Sequence, residues 1–147
     1  MLGVLDMEPT DLTKARDVLA QFEQDCLGKS ALYHLSDGLS LLEDVIDSYE
    51  ESKYSKIAKN IGNTYVSKFG NLIDNLIQSN DSIEEKSLKD YQELLIEIQH
   101  FSFGDKKKIE QILTAATMKL LEEILRGISN INKHTILENV RKKLSKT

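Results

Sequence analysis

The stretch YSKIAKNIGNTYVSKFGNLIDNLIQ, residues 54–78, decides the fold. At roughly 100° per residue, Ile57, Ala58, Ile61, Tyr65, Phe69, Leu72, Ile73 and Leu76 fall within about half of a helix circumference. Asn60, Asn63, Ser67, Asn71 and Asp74 fall on the other half. Part of it, residues 57–68, has a superficial look of a helix-turn-helix, because Ala58 and Gly62 carry the separation of that motif's first helix and turn. Asn63 and Lys68, however, stand where the motif needs apolar residues. A turn would also reset the helical phase, and the apolar stripe passes Gly62 without a shift. The stretch predicts one continuous helix.

The same period extends outward in both directions. Towards the N-terminus, Pro9 precedes a stripe of Leu12, Ala15, Val18, Leu19, Phe22 and Cys26, with Gly28 expected to end that helix in a left-handed conformation. Ser30 is expected to cap a second helix carrying Leu32, Leu35, Leu39, Leu42, Ile46 and Tyr49. Gly38, beside that stripe, predicts a close helix crossing, since a mid-helix glycine otherwise costs about 1 kcal/mol relative to alanine.

Towards the C-terminus, Ser82 and Glu85 have capping-box spacing and open a helix with Leu88, Tyr91, Leu94, Leu95, Ile98 and Phe101. Gly104 and Asp105 precede a fifth helix with Ile109, Ile112, Leu113, Ala116, Leu120, Ile124 and Ile128, widened by Leu121 and Leu125. That width makes it the expected central helix, with Leu113, Leu120 and Ile124 in the core. Gly127 and Asn130 mark its end, and a sixth helix holds Ile136, Leu137, Val140 and Leu144. There is no alternating strand pattern, no internal repeat and no sustained heptad. The expected fold is all-α, a compact five- or six-helix bundle forming a single helical domain over residues 1–147.

Composition narrows the class. Hydrophobic residues at 40% and charged residues at 29% fit a globular chain rather than a disordered one. Cys26 is the only cysteine, which excludes an internal disulfide and a cysteine-based zinc cluster. No basic segment followed by an apolar run opens the chain, and the longest apolar runs are two to three residues. The expectation is therefore a cytoplasmic protein without a signal peptide or a transmembrane helix.

The net charge of −5 is unevenly spread. Residues 1–52 carry 3 Lys/Arg against 12 Asp/Glu, and residues 105–147 carry 10 against 5. Such blocks suit solvated helix faces of different sign, or an acidic first third meeting a basic last third across a two-fold axis in a homodimer.

Candidate chemistry is sparse. Glu97 and His100 have the Glu-x-x-His spacing of a di-metal carboxylate bundle, but no second copy exists and both fall off the apolar face. Arg126 and His134 lie too far apart for the Arg-x4–6-His signature of HEPN-type ribonucleases, so that family is not carried over. His34 and Asp37 form an i,i+3 surface pair. The chain has no glycine-rich phosphate loop and no nucleophile elbow.

One run breaks a local rule. Lys106, Lys107 and Lys108 sit at a helix start, where the macrodipole is already positive and acidic residues are favoured. Free N–H groups with three ammonium groups would suit a phosphate or an acidic surface, making these lysines the candidate anion-binding residues.

The reading that follows is a small helical interaction or regulatory protein, adaptor- or chaperone-like, without catalytic residues, metal or cofactor. Its expected partner is protein, either itself or another, rather than a membrane. The alternative is a nucleic-acid- or phosphate-binding regulator using Lys53, Lys56, Lys59 and Lys68 together with Lys106–Lys108.

Overall fold

A computed structural model of the chain describes residues 8–25, 28–79, 81–126 and 133–145. Among them are six helices and no strand: α1 (Thr10–Asp25), α2 (Lys29–Ser48), α3 (Lys53–Gln78), α4 (Glu85–Ile98), α5 (Lys106–Arg126) and α6 (Lys133–Ser145). The fold class is all-α, as the periodicity predicts. Two compact units divide the chain, Met1–Phe69 with His100–Asp105, and Gly70–Gln99 with Lys106–Thr147. Helix α3 contributes to both, through Phe69 to the first and from Gly70 to the second.

Residues 54–78 lie in one unbroken helix, so Gly62 is not a turn. Its start is set by Ser52, whose hydroxyl oxygen accepts from the Ser55 N–H at 3.4 Å. A left-handed Glu51 (φ 63°) turns the chain just before it.

In the first unit, α1 buries Leu12, Ala15, Leu19 and Phe22, all from its predicted stripe. Val18 is half-buried, and Cys26 lies outside the described residues. Helix α2 buries Ala31, Leu35, Leu39, Leu42, Val45 and Ile46. The two helices cross where Gly38 was expected to allow it, since a Cβ there would lie 2.6 Å from Leu19 Cγ. Phe22 then meets Tyr65 of α3 edge-on, with ring centroids 6.2 Å apart. Beside it, Lys68 pairs with Glu23 at 3.0 Å.

The buried line of α3 in this unit is Ser55, Ala58, Gly62, Val66 and Phe69, whereas Ile57, Ile61 and Tyr65 are only half-buried. The line is rotated from the predicted one because small residues let a neighbour come close. At Gly62 that neighbour is the ring of Phe103, 2.5 Å from where a Cβ would stand. Phe103 comes from the segment His100–Asp105, where it stacks on Phe101 at 5.2 Å. Phe101 is therefore a loop residue and not the last position of the α4 stripe. Glu43 accepts from the Ser102 N–H at 3.0 Å, and Asn63 Oδ1 accepts from the Gly104 N–H at 2.6 Å. Gly104 needs its positive φ of 95° to make that turn.

The second unit holds the end of α3 with α4, α5 and α6. Helix α4 buries Leu88, Tyr91, Leu94, Leu95 and Ile98 as predicted. Helix α5 packs on both α4 and α6. Its buried residues are Ile109, Ile112, Ala116, Met118, Lys119, Glu123 and Leu125. This corrects the expected core: Leu113 and Leu120 are half-buried, and Ile124 is 40% exposed. The inner line 109–112–116–119–123 keeps helical spacing but passes from apolar to charged residues.

Two helix starts also differ from expectation. Gly28 is extended (φ −64°, ψ 160°) and stands at the N-cap of α2, not at the left-handed end of α1, so Ser30 lies inside the helix. Helix α4 begins at Glu85 with Glu84 as N-cap and no side-chain capping bond. Ser82 is engaged elsewhere, as described below. Gly127, Ile128 and Asn130 lie outside the described residues.

Candidate functional site

Glu123 is the residue that takes Ser82 away from capping. Its Oε2 accepts from the Ser82 hydroxyl at 2.8 Å. Its Oε1 lies 3.2 Å from the Arg126 guanidinium and 3.8 Å from the Lys119 ammonium. Both Lys119 and Glu123 are largely buried, with side chains 8% and 6% exposed. An i,i+4 pair of opposite charge can enter an apolar helix face because each group partly neutralises the other. The Ser82 hydroxyl above all holds the Glu123 carboxyl below its ordinary value; burial opposes it, and the Ile83 N–H, Arg126 and Lys119 add to the lowering.

A pH dependence follows with a definite sign. The folded pKa of Glu123 lies below the unfolded one, so its stabilisation is present in full above the ordinary value of 4.5 and is lost as pH falls through the folded pKa. Thermal melts from about pH 6 down to about pH 3 are expected to fall more steeply for the wild type than for Glu123→Gln. Parallel curves would mean that the carboxylate contributes nothing on folding.

A neighbouring face of the α4–α5 pair is apolar and partly exposed. Gln92 Nε2 donates to Thr117 Oγ1 at 2.9 Å and marks where the two helices meet on this side. Ile96 follows Gln92 by one turn, and Leu113, Leu120 and Ile124 share the face of Thr117 by i,i+3 and i,i+4 spacing. Ile96 is 47% and Ile124 is 40% exposed. Single exposed apolar residues are ordinary, but here two, Ile96 and Ile124, are joined by the half-buried Leu113 and Leu120 on the adjoining helix.

The three lysines at the start of α5 are given separate tasks. Lys106 Nζ donates at 3.1 Å to the Ile98 carbonyl, one of the carbonyls left open at the end of α4. Lys108 Nζ donates at 2.8 Å to Asn71 Oδ1 of α3. Lys107 is exposed. An anion at this helix start would have to compete with those acceptors for Lys106 and Lys108. Replacing Lys106 by glutamine is expected to cost about 0.5–1.5 kcal/mol of stability. Lys107→Gln should stay within about 0.5 kcal/mol. Denaturant melts distinguish them, and equal small losses would remove the capping role of Lys106.

Compared with known proteins, the chain matches no family model, no curated protein and no solved structure.

The remaining sequence candidates are dispersed. Lys68 is paired with Glu23, and Lys53 lies 5.1 Å over the Tyr54 ring, while Lys56 and Lys59 are exposed on α3. His34 meets Tyr33 edge-on at 6.4 Å. His100 is exposed in the turn after α4, with Glu97 half-buried before it. Arg126 is bound to Glu123, and the side chain of His134 lies outside the description. Among the described residues, no three His, Cys, Asp or Glu come together as a metal site requires. No helix among them is long and apolar enough to cross a membrane. Sequence reasoning missed the Ser82–Glu123–Lys119 group, whose only signal was a lysine and a glutamate spaced i,i+4 within an otherwise apolar line.

Proposed function

We propose that this chain is a small cytoplasmic interaction module that holds a partner protein, without chemistry of its own, on the α4–α5 face of its second unit. The observation that carries this reading is the partly exposed apolar line of Ile96, Leu113, Leu120 and Ile124. Fully burying one such side chain is worth about 1.5–3 kcal/mol. All four side chains are already more than half buried, so covering the stripe would supply only part of that for each, before the costs of ordering. The hydrogen-bonded Gln92 and Thr117 lie within it, between Leu113 and Leu120, and charged Lys89 and Glu93 flank it on α4, so apolar and polar groups are mixed as in many protein-binding surfaces.

The test is affinity capture from native extract with the wild type and with an Ile96→Glu, Ile124→Glu double variant. A protein captured by the wild type and lost by the variant is the expected result. Sedimentation of the pure protein over a range of concentration tells whether that partner is a second copy. Capture indifferent to the two glutamates would refute the surface. Nucleic acid co-purifying in a salt-dependent way would favour the basic-surface alternative, including Lys106–Lys108, over this one.

A further inference from the structure

The segment His100–Asp105 belongs to the first unit, although α4 and α5 on either side of it in the chain belong to the second. It is held as a short bound peptide is held, by its backbone at two points and by one side chain between them. Glu43 of α2 accepts from the N–H and the hydroxyl of Ser102, at 3.0 and 2.5 Å. Asn63 of α3 accepts from the Gly104 N–H at 2.6 Å. Between these points the Phe103 side chain, 3% exposed, enters a notch left by the missing side chain of Gly62. Phe101 stacks on its ring, with planes 10° apart.

Each part of the notch selects one feature of the chain seated in it. The glycine floor admits a flat ring, since a Cβ at Gly62 would lie 2.5–2.7 Å from three atoms of Phe103. The residue after the ring must be glycine for two reasons: its φ is 95°, and a Cβ there would lie 3.2 Å from Val66 Cγ1. The residue before it must carry an N–H, which excludes proline, and a hydroxyl there gains a second, charge-assisted bond to the Glu43 carboxylate. Ser102 and Asn63 are exposed and Glu43 is half-buried, so both backbone attachments lie where water can replace them. The seat reads the sequence Ser-Phe-Gly.

A second copy has no free segment to offer, because its own residues 102–104 fill its own notch. The fitting occupant is a Ser-Phe-Gly stretch exposed on a different protein. We propose that the notch of Glu43, Gly62, Asn63 and Val66 binds such a segment of a partner, and that residues 102–104 close the site until the partner displaces them. The tethered segment competes at an effective concentration on the order of mM, so the partner must bring contacts beyond the three residues. The site is separate from the α4–α5 face and does not depend on it.

The test uses the full chain with Phe103→Ala, which empties the notch, and a blocked peptide of residues 100–105 as probe, followed by amide NMR and thermal melts. The expected result is saturable binding with shifts at Gly62, Asn63 and Val66, and a melting temperature raised towards that of the wild type. The wild type should bind the peptide at least tenfold more weakly, because its own Phe103 competes. A peptide carrying Gly104→Ala should also bind at least tenfold more weakly. Adding Gly62→Ala to the protein, which refills the notch, should abolish binding. Adding Ile96→Glu and Ile124→Glu instead should leave it unchanged, which separates this site from the α4–α5 face. Gly104→Ala in the protein, which unseats the segment without emptying a buried volume, serves if Phe103→Ala does not fold. From native extract, the emptied variant should capture a protein with an exposed Ser-Phe-Gly segment that the peptide releases and the Gly104→Ala peptide does not. Absence of saturation, equal binding of the two peptides, shifts confined to other residues, or release of this same chain alone would overturn the proposal.

Discussion

Phe22→Ala is expected to cost about 3–5 kcal/mol of stability, the largest loss of any single change considered. Phe22 is completely buried on α1, and its ring meets that of Tyr65 at 6.2 Å, so truncation removes an aromatic contact as well as a large apolar volume. The surroundings have little freedom to collapse into the space. Leu19, one turn away, is already seated against Gly38 with no room to spare. Denaturant titration should show the midpoint falling with an unchanged slope, and the thermal midpoint falling by roughly 10 °C or more. Tyr33→Ala on α2 is the control. Tyr33 is 74% exposed, and its loss should stay near 0.5 kcal/mol. A Phe22→Ala cost below about 1.5 kcal/mol would mean that the α1–α2–α3 core is loosely packed.

The second large effect separates the two faces of α5. Ile112 is 4% exposed, and its Cδ1 comes within 3.0 Å of where a Cβ on Gly70 would stand, whereas Ile124 is 40% exposed. Ile112→Ala should cost about 2–5 kcal/mol and Ile124→Ala less than about 1 kcal/mol. The sequence pattern alone places Ile124 in the core and predicts similar losses at both, so the pair of measurements distinguishes the two registers directly. Equal losses would return the buried face to Leu113, Leu120 and Ile124.

The difference between those registers says how far this sequence can be read. The continuity of helix α3 and the stripe of α1 were legible because large apolar residues recur at helical spacing through both. The Gly38 crossing was legible because a mid-helix glycine needs a reason. The inner face of α5 was not, because Lys119 and Glu123 count as solvent-facing until their mutual charge and the Ser82 hydroxyl are known. Ser82 misled for the same cause: its spacing to Glu85 satisfies a cap, but the hydroxyl is drawn to a carboxylate 41 positions away. On α3, Ala58, Phe69 and Ile73 are buried as expected, but Ile57, Ile61 and Tyr65 are half-buried while Gly62 and Val66 are buried, since Phe103 arrives at Gly62 from a distant segment. The lysines of α5 were correctly singled out as breaking a rule. The rule is broken in favour of the Ile98 carbonyl and Asn71, acceptors that only the folded chain supplies.

The central functional claim is that a protein partner covers the α4–α5 face. Amide hydrogen exchange, with and without the partner recovered by capture, tests it most directly. The account predicts new protection concentrated in α4 around Ile96 and in α5 from Leu113 to Ile124, with α1 and α2 unchanged. Protection confined to α1 and α2, or to the start of α5 at Lys106–Lys108, would contradict it.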